Sequence, residues 1–165
     1  MDAELATLSA EVGTWLSRAG WKLASAESCT GGWIAEVVTA TAGSSEWFDC
    51  GFVTYSNEAK QDLLAVSGET LARAGAVSED TVREMVAGCL ARSRADIALA
   101  VSGVAGPGGG SATKPVGLVC FGWGRRGEPI HCETRRFGGD RESVRHQAVV
   151  FALRDMMTNT LFLVR

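Results

Sequence analysis

Ala26-Glu27-Ser28-Cys29-Thr30-Gly31-Gly32 stands between an apolar stretch, Trp21 to Ala26, and a helical pattern carried by Trp33, Ile34, Val37 and Val38. Strand, small-residue turn, helix is half of a βα unit, and strands interleaved with helices along the rest of the chain make the fold α/β. A turn of this composition leaves backbone N–H groups free at the helix start, with the positive end of the helix dipole behind them. Such a place holds a phosphate or the oxyanion of a reaction intermediate. Ser28, Cys29 and Thr30 put three potential nucleophiles in it. The plainer reading is an ordinary turn with Ser28 or Thr30 as helix N-cap. From the turn alone both readings stand.

Outward from this stretch the periodicity alternates. Leu5, Leu8, Val12, Trp15, Leu16 and Ala19 have helical spacing over residues 4–19, with Gly20 as the stop. Residues 21–26 read as a strand and about 30–39 as a helix. Gly43-Ser44-Ser45 is a turn, and Phe48 to Tyr55 is an aromatic and β-branched strand. Asn57 to Val66 reads as a short helix, and Ser78 caps another whose buried stripe is Val82, Met85, Val86, Cys89 and Leu90. Residues 95–102 are a nearly continuous apolar run, which suits a central strand covered on both faces. A glycine-rich loop follows from Gly103 to Ser111. Pro115 to Trp123 and Ile130 to Phe137 form a hairpin, and a last helix carries Val144, Ala148, Phe151, Ala152 and Leu153. The expectation is a single layered α/β domain over residues 1–165, with a mixed parallel and antiparallel sheet flanked by helices. No repeat or linker divides it.

Composition narrows the function classes. The 165 residues are 46% hydrophobic and 21% charged, with a net charge of −3. That describes a globular chain without a large electrostatic footprint for nucleic acid. No apolar run is long enough to span a bilayer, and Met1-Asp2-Ala3-Glu4 does not open a signal peptide, so a soluble cytoplasmic protein is expected. The five cysteines are widely spaced and form no Cys-x-x-Cys pair. The two histidines, His131 and His146, have no ligand partner at helical spacing. No metal is expected, and a Ser-His-Asp triad is disfavoured because both histidines lie in late, polar stretches.

Four polar clusters line up at strand ends: Glu27–Thr30, Gly43–Ser45, Tyr55–Lys60 and Ser102–Pro107. Ligands of open α/β sheets bind outside the carboxyl ends of strands. Lys60 is one of only three lysines, against thirteen arginines. It is either a solvated helix residue or a general base, since a lysine desolvated among neutral groups has a lowered pKa and can take a proton from a serine. Ser-x-x-Lys is absent, because Gly31 stands three residues after Ser28, so a Ser–Lys pair must form through space. The Gly103–Ser111 loop does not match the Walker A pattern. Either it lets its backbone approach a small ligand, or it is a mobile connection. Arg141 and Arg145 share a helix face; Arg145 reads as a surface ion-pair partner, while Arg141 is left between that role and a phosphate clamp.

Seven ordered motifs resemble the CinA C-terminal-domain family. They are Ala26–Gly32, Gly43-Ser44-Ser45-x-Trp47-Phe48, Gly51–Lys60, Gly75-Ala76-Val77-Ser78-Glu79, Ser102–Gly109, Lys114-Pro115-Val116-Gly117 and Gly139-Asp140-Arg141. The resemblance runs from about residue 5 to residue 157; functions of the additional N-terminal domain of longer members are not carried over. It implies hydrolysis of the carboxamide of nicotinamide mononucleotide to nicotinate mononucleotide and ammonia, in pyridine-nucleotide recycling. It further implies a serine amidohydrolase with a Ser–Lys pair, no cofactor and no metal. Carried onto this chain, Ser28 is the nucleophile, Lys60 the base, and Tyr55 a proton relay or substrate contact. Ser45 is the second-choice catalytic serine. Cys29, Thr30, Gly31 and Gly32 belong to the substrate-binding turn, Ser102, Gly103 and Gly106 line the pocket, and Arg141 is a candidate phosphate ligand. A homodimer is expected, with Trp15, Trp33 and Trp47 offering apolar surface. A nucleotide-binding or regulatory module that kept the pocket without turnover is the competing reading; ammonia release separates the two.

Overall fold

The computed structural model describes residues 1–159. Five strands form one sheet in the order β2-β1-β3-β4-β5. Strands β1 (Leu23–Glu27), β2 (Phe48–Val53) and β3 (Ile97–Gly103) run parallel. Strands β4 (Leu118–Arg125) and β5 (His131–Arg136) complete it antiparallel, as the hairpin reading requires. Helices α1 (Ala3–Ala19), α2 (Trp33–Thr39) and α6 (Arg141–Thr158) cover one face. Helices α3 (Asn57–Leu64), α4 (Gly68–Ala74) and α5 (Glu79–Ala91) lie on the other. The α/β class and the mixed sheet flanked by helices are thus as the pattern predicts.

The two faces differ in side-chain size. Leu23, Ile97, Leu99, Val101, Phe121 and Trp123 fill the space under α1, α2 and α6. The opposite face is built from Ala24, Ala26, Ala98, Ala100, Gly122 and Gly124, which lets α5 settle close to the strands. A Cβ at Gly122 would stand 3.0 Å from Val86 Cγ2 and 3.1 Å from Val82 O. The same closeness joins α5 to α3: a Cβ at Gly88 would meet Leu64 O at 1.9 Å.

The elements depart from the pattern at several points, and the helices show why. Helix α2 starts at Trp33, because Gly31 and Gly32 take φ of +61° and +101° and carry the turn further. Helix α3 stops at Leu64, where Ala65 enters the left-handed region at φ 54°. Helix α4 has no counterpart in the pattern; it opens on a glycine and buries only Thr70 and Leu71, too few positions to show a period. No described helix is long and apolar enough to cross a membrane. Of the tryptophans expected to offer apolar surface, Trp47 is 8% exposed and packs on Gly13. Trp15 and Trp33 are half-buried, the first edge-on to Trp21 and the second beneath the Arg145 guanidinium.

Candidate active site

The parallel register of β1 and β2 brings Glu27 beside Val53, so both strands deliver their next residues to the same edge of the sheet. Thr54 N–H donates to Glu27 O (2.8 Å) and Ser28 N–H to Val101 O of β3 (3.0 Å). Ser28 is therefore fixed from both sides at the carboxyl end of the sheet. Ser56 then caps α3 through its hydroxyl, which accepts from Ala59 N–H, and the helix turns Lys60 inward below it.

Lys60 is fully buried. Its Nζ donates to Ser28 Oγ (2.9 Å), to Thr54 O (2.8 Å) and, at longer range, to Tyr55 O (3.3 Å). No carboxylate is among these partners. Burial pushes the amine below its ordinary 10.5. A neutral amine has two N–H groups and one lone pair. In the neutral form the bond to Ser28 reverses: the two carbonyls accept the N–H groups, and the lone pair faces the hydroxyl proton of Ser28.

The turn that carries Ser28 is held in an unexpected way. The Glu27 carboxylate, wholly buried, accepts from Ile34 N–H (2.8 Å) and Ala35 N–H (3.1 Å). It caps α2 from one residue before the turn, so neither Ser28 nor Thr30 is the N-cap, and these helix amides are not free for an anion. From the other side Arg145 of α6 donates to Cys29 O (3.0 Å) and Thr30 O (3.3 Å). Arg145 is thus a partner of the turn and not of a surface acid. Ser28 O accepts from Gly31 N–H (3.0 Å) within the turn. Among the described residues, the amides of Cys29, Ala105 and Gly106 have no backbone acceptor.

A cleft of about 280 Å³ opens over Ser28 and Lys60, with Cys29, Tyr55, Ser102, Gly103, Gly106 and Arg141 on its walls. Ala76 and Val77 supply an apolar side. Glycine is required in the loop: a Cβ at Gly103 would stand 2.7 Å from Val119 Cγ2, and one at Gly106 2.5 Å from Val116 Cγ1. Arg141 donates to Gly106 O (2.8 Å) and to the Tyr55 hydroxyl (3.0 Å), so it spans the mouth of the cleft. Tyr55 meets the Ser28–Lys60 pair through its backbone carbonyl, while the residue as a whole is 61% exposed. That geometry suits a substrate contact and not a proton relay. Cys29 is buried, and desolvation raises its thiol to about 11.

Other expected members lie elsewhere. Ser45 belongs to a 3₁₀ turn (Ser44–Glu46) before β2, and its carbonyl accepts from Lys22, which precedes β1. It therefore sits at the amino end of the parallel strands, opposite Ser28. Thr30 is fully buried with its hydroxyl unpartnered, and Thr30, Gly31 and Gly32 are not on the cleft wall. Gly31 backs onto Arg145 and Gly32 onto Val53. His146 bonds Asp2 (2.8 Å), and His131 stacks on Trp123. Strand spacing and α6 bring His131, Glu133 and Asp155 within 4.8 Å of one another, away from the cleft, and Glu133 is paired there with Arg135. Glu27 and Arg145 are what residue-by-residue reading missed. An acid one position before a small-residue turn was the available signal for the first; Arg145 lies 116 residues from its acceptor and left none.

The CinA C-terminal domain model matches residues 5–160. The nicotinamide-nucleotide amidohydrolase PncC of Escherichia coli (strain K12) is 54% identical over 158 residues, covering 94% of each chain. The PncC of Pseudomonas putida is 50% identical, covering 90% of this chain and 92% of its own. The crystal structure of competence/damage inducible protein CihA from Agrobacterium tumefaciens superposes with a TM-score of 0.92 at 44% identity, covering 95% of this chain and 96% of that one. With the sheet, the Ser28 turn and the glycine loop all inside the matched span, the chain belongs to the CinA C-terminal-domain family.

Proposed function

We propose that this chain is a nicotinamide-nucleotide amidase that hydrolyses the carboxamide of nicotinamide mononucleotide by a Ser28–Lys60 mechanism. The observation that carries it is the buried Lys60 amine 2.9 Å from Ser28 Oγ, with carbonyls as its other partners. The names of the relatives that match nearly the whole chain support the reaction class. With Lys60 neutral, Arg141 is the charged side chain on the cleft wall, and no acid on that wall balances it, which suits a phosphate-bearing substrate.

In this reading Lys60 takes the proton of Ser28 as Oγ attacks the carboxamide carbon. The oxyanion accepts from Cys29 N–H and from an amide of the Ala105–Gly106 loop. Lys60 returns its proton to the departing nitrogen, and ammonia leaves with the C–N bond. Water then gives a proton to Lys60 and its oxygen to the acyl carbon; the bond from that carbon to Oγ breaks, and Lys60 passes the proton to Oγ, which restores Ser28 and the neutral amine and releases the nicotinate product. Arg141 takes the phosphate. Membership of a pyridine-nucleotide recycling route and a homodimeric state rest on the family resemblance. Ammonia release from nicotinamide mononucleotide by the whole chain, lost in Ser28→Ala, tests the reading. Binding without ammonia release by the unaltered chain favours the non-catalytic module instead.

A further inference from the structure

We infer that Arg145 is a positioning residue for the oxyanion-binding turn, an inference that rests on the amidase reading above. Its guanidinium approaches the turn from α6, lies over the Trp33 ring at 5.4 Å and donates to two successive carbonyls, Cys29 O and Thr30 O. Arg141, one helical turn earlier, stands on the cleft wall; Arg145 does not. Its charge is therefore spent on the rear of the turn and not on substrate. A trans peptide points its C=O and N–H in opposite directions. The bond from Gly31 N–H to Ser28 O fixes the peptide plane before Cys29, and Arg145 fixes the plane after it. The Cys29 N–H, which has no backbone acceptor and adjoins the nucleophile, belongs to the first plane; Arg145, by holding the second, limits the rotation about Cys29 that would let the first plane turn. Thr30 O also accepts from Trp33 N–H (3.1 Å), but among the described residues Arg145 is the partner of Cys29 O. Gly31 and Gly32 contribute no side chain, and the Thr30 hydroxyl has no partner. The helix amides on the far side are engaged by Glu27. A forked donor reaches both carbonyls at once; a lysine ammonium reaches them only by swinging between them.

The test compares the unaltered chain with Arg145→Ala and Arg145→Lys by steady-state kinetics on nicotinamide mononucleotide and by amide hydrogen exchange. Arg145→Ala is expected to lower kcat about 10- to 100-fold with KM changed less than about threefold, because a small misplacement of the reacting geometry costs rate and not affinity. Arg145→Lys recovers part of kcat and serves if the alanine variant does not fold. The pH at which kcat rises stays where it is, since Arg145 exchanges no proton with the Ser28–Lys60 pair. Amides of residues 29–31 exchange faster in Arg145→Ala, and those of β1 and β3 do not. A raised KM with kcat preserved makes Arg145 a substrate ligand and overturns the inference; so does unaltered kinetics. If the unaltered chain releases no ammonia, the amidase reading fails separately. Unchanged exchange at residues 29–31 then overturns the brace on its own account, and faster exchange there upholds it as a brace of the turn.

Discussion

Lys60 Nζ meets Ser28 Oγ at 2.9 Å across 32 residues of sequence, inside the protein and with no counter-charge among its bonded partners. A lysine in that position gains little as a structural ion, because burying an unpaired ammonium is costly. As a neutral amine it fits the base proposed above.

Ser28→Ala is expected to lower ammonia release by about 10³-fold or more while the thermal midpoint stays close to that of the unaltered chain. Ser45→Ala, at the other end of the parallel strands, is expected to keep nearly full turnover. Equal losses in both variants would show that the nucleophile has been misassigned.

Cys29→Ala is expected to retain most activity. Desolvation raises its thiol to about 11, which keeps it protonated at neutral pH and disfavours it as a nucleophile beside Ser28. EDTA is expected to leave the rate unchanged, because no carboxylate or histidine stands on the cleft wall to hold an ion. Rates before and after overnight dialysis against the chelator check this.

Glu27→Gln keeps the size of the side chain but offers one acceptor oxygen where Ile34 and Ala35 N–H now find two. One buried amide is left facing an NH₂ group. Loss of about 1–3 kcal/mol is expected, read as a lower urea midpoint with unchanged slope.

Arg141→Gln is expected to raise KM for nicotinamide mononucleotide about 10- to 100-fold, the worth of a charge-assisted bond or two, with a smaller effect on kcat. The phosphate-free nucleoside should be hydrolysed with similar KM by both forms. A matching KM increase for the nucleoside would place Arg141 against another part of the substrate.

The layered fold was legible because the apolar runs at residues 21–26, 48–55 and 95–102 each sit between helical periods. Ser28 and Lys60 were legible as chemical types at strand ends, yet no spacing rule links them; the parallel register of β1 and β2 does. Ser45 misled because it stands beside a strand at its amino end, and composition does not distinguish the two ends. The amides expected to be free at α2 were not, since Glu27 reads as one more polar residue until its carboxylate is seen to reach over the turn. Arg145 reads as a surface residue because helix spacing shows its neighbours on α6 and nothing of the turn it contacts.

The central claim is that Lys60 is the base, and the pH profile of kcat in the unaltered chain, set beside Lys60→Arg, tests it most directly. Burial favours the neutral amine, so its pKa lies below the ordinary 10.5. The neutral form is the active one; activity is therefore expected to rise with pH as a single proton is lost, and to level off below 10.5. Arginine keeps the charge but does not give up its proton, so Lys60→Arg is expected to lose about as much turnover as Lys60→Ala. A Lys60→Arg variant that keeps most of its turnover, with the same rise in pH, would contradict the account: Lys60 would then be a fixed positive charge, and the proton of Ser28 would go elsewhere.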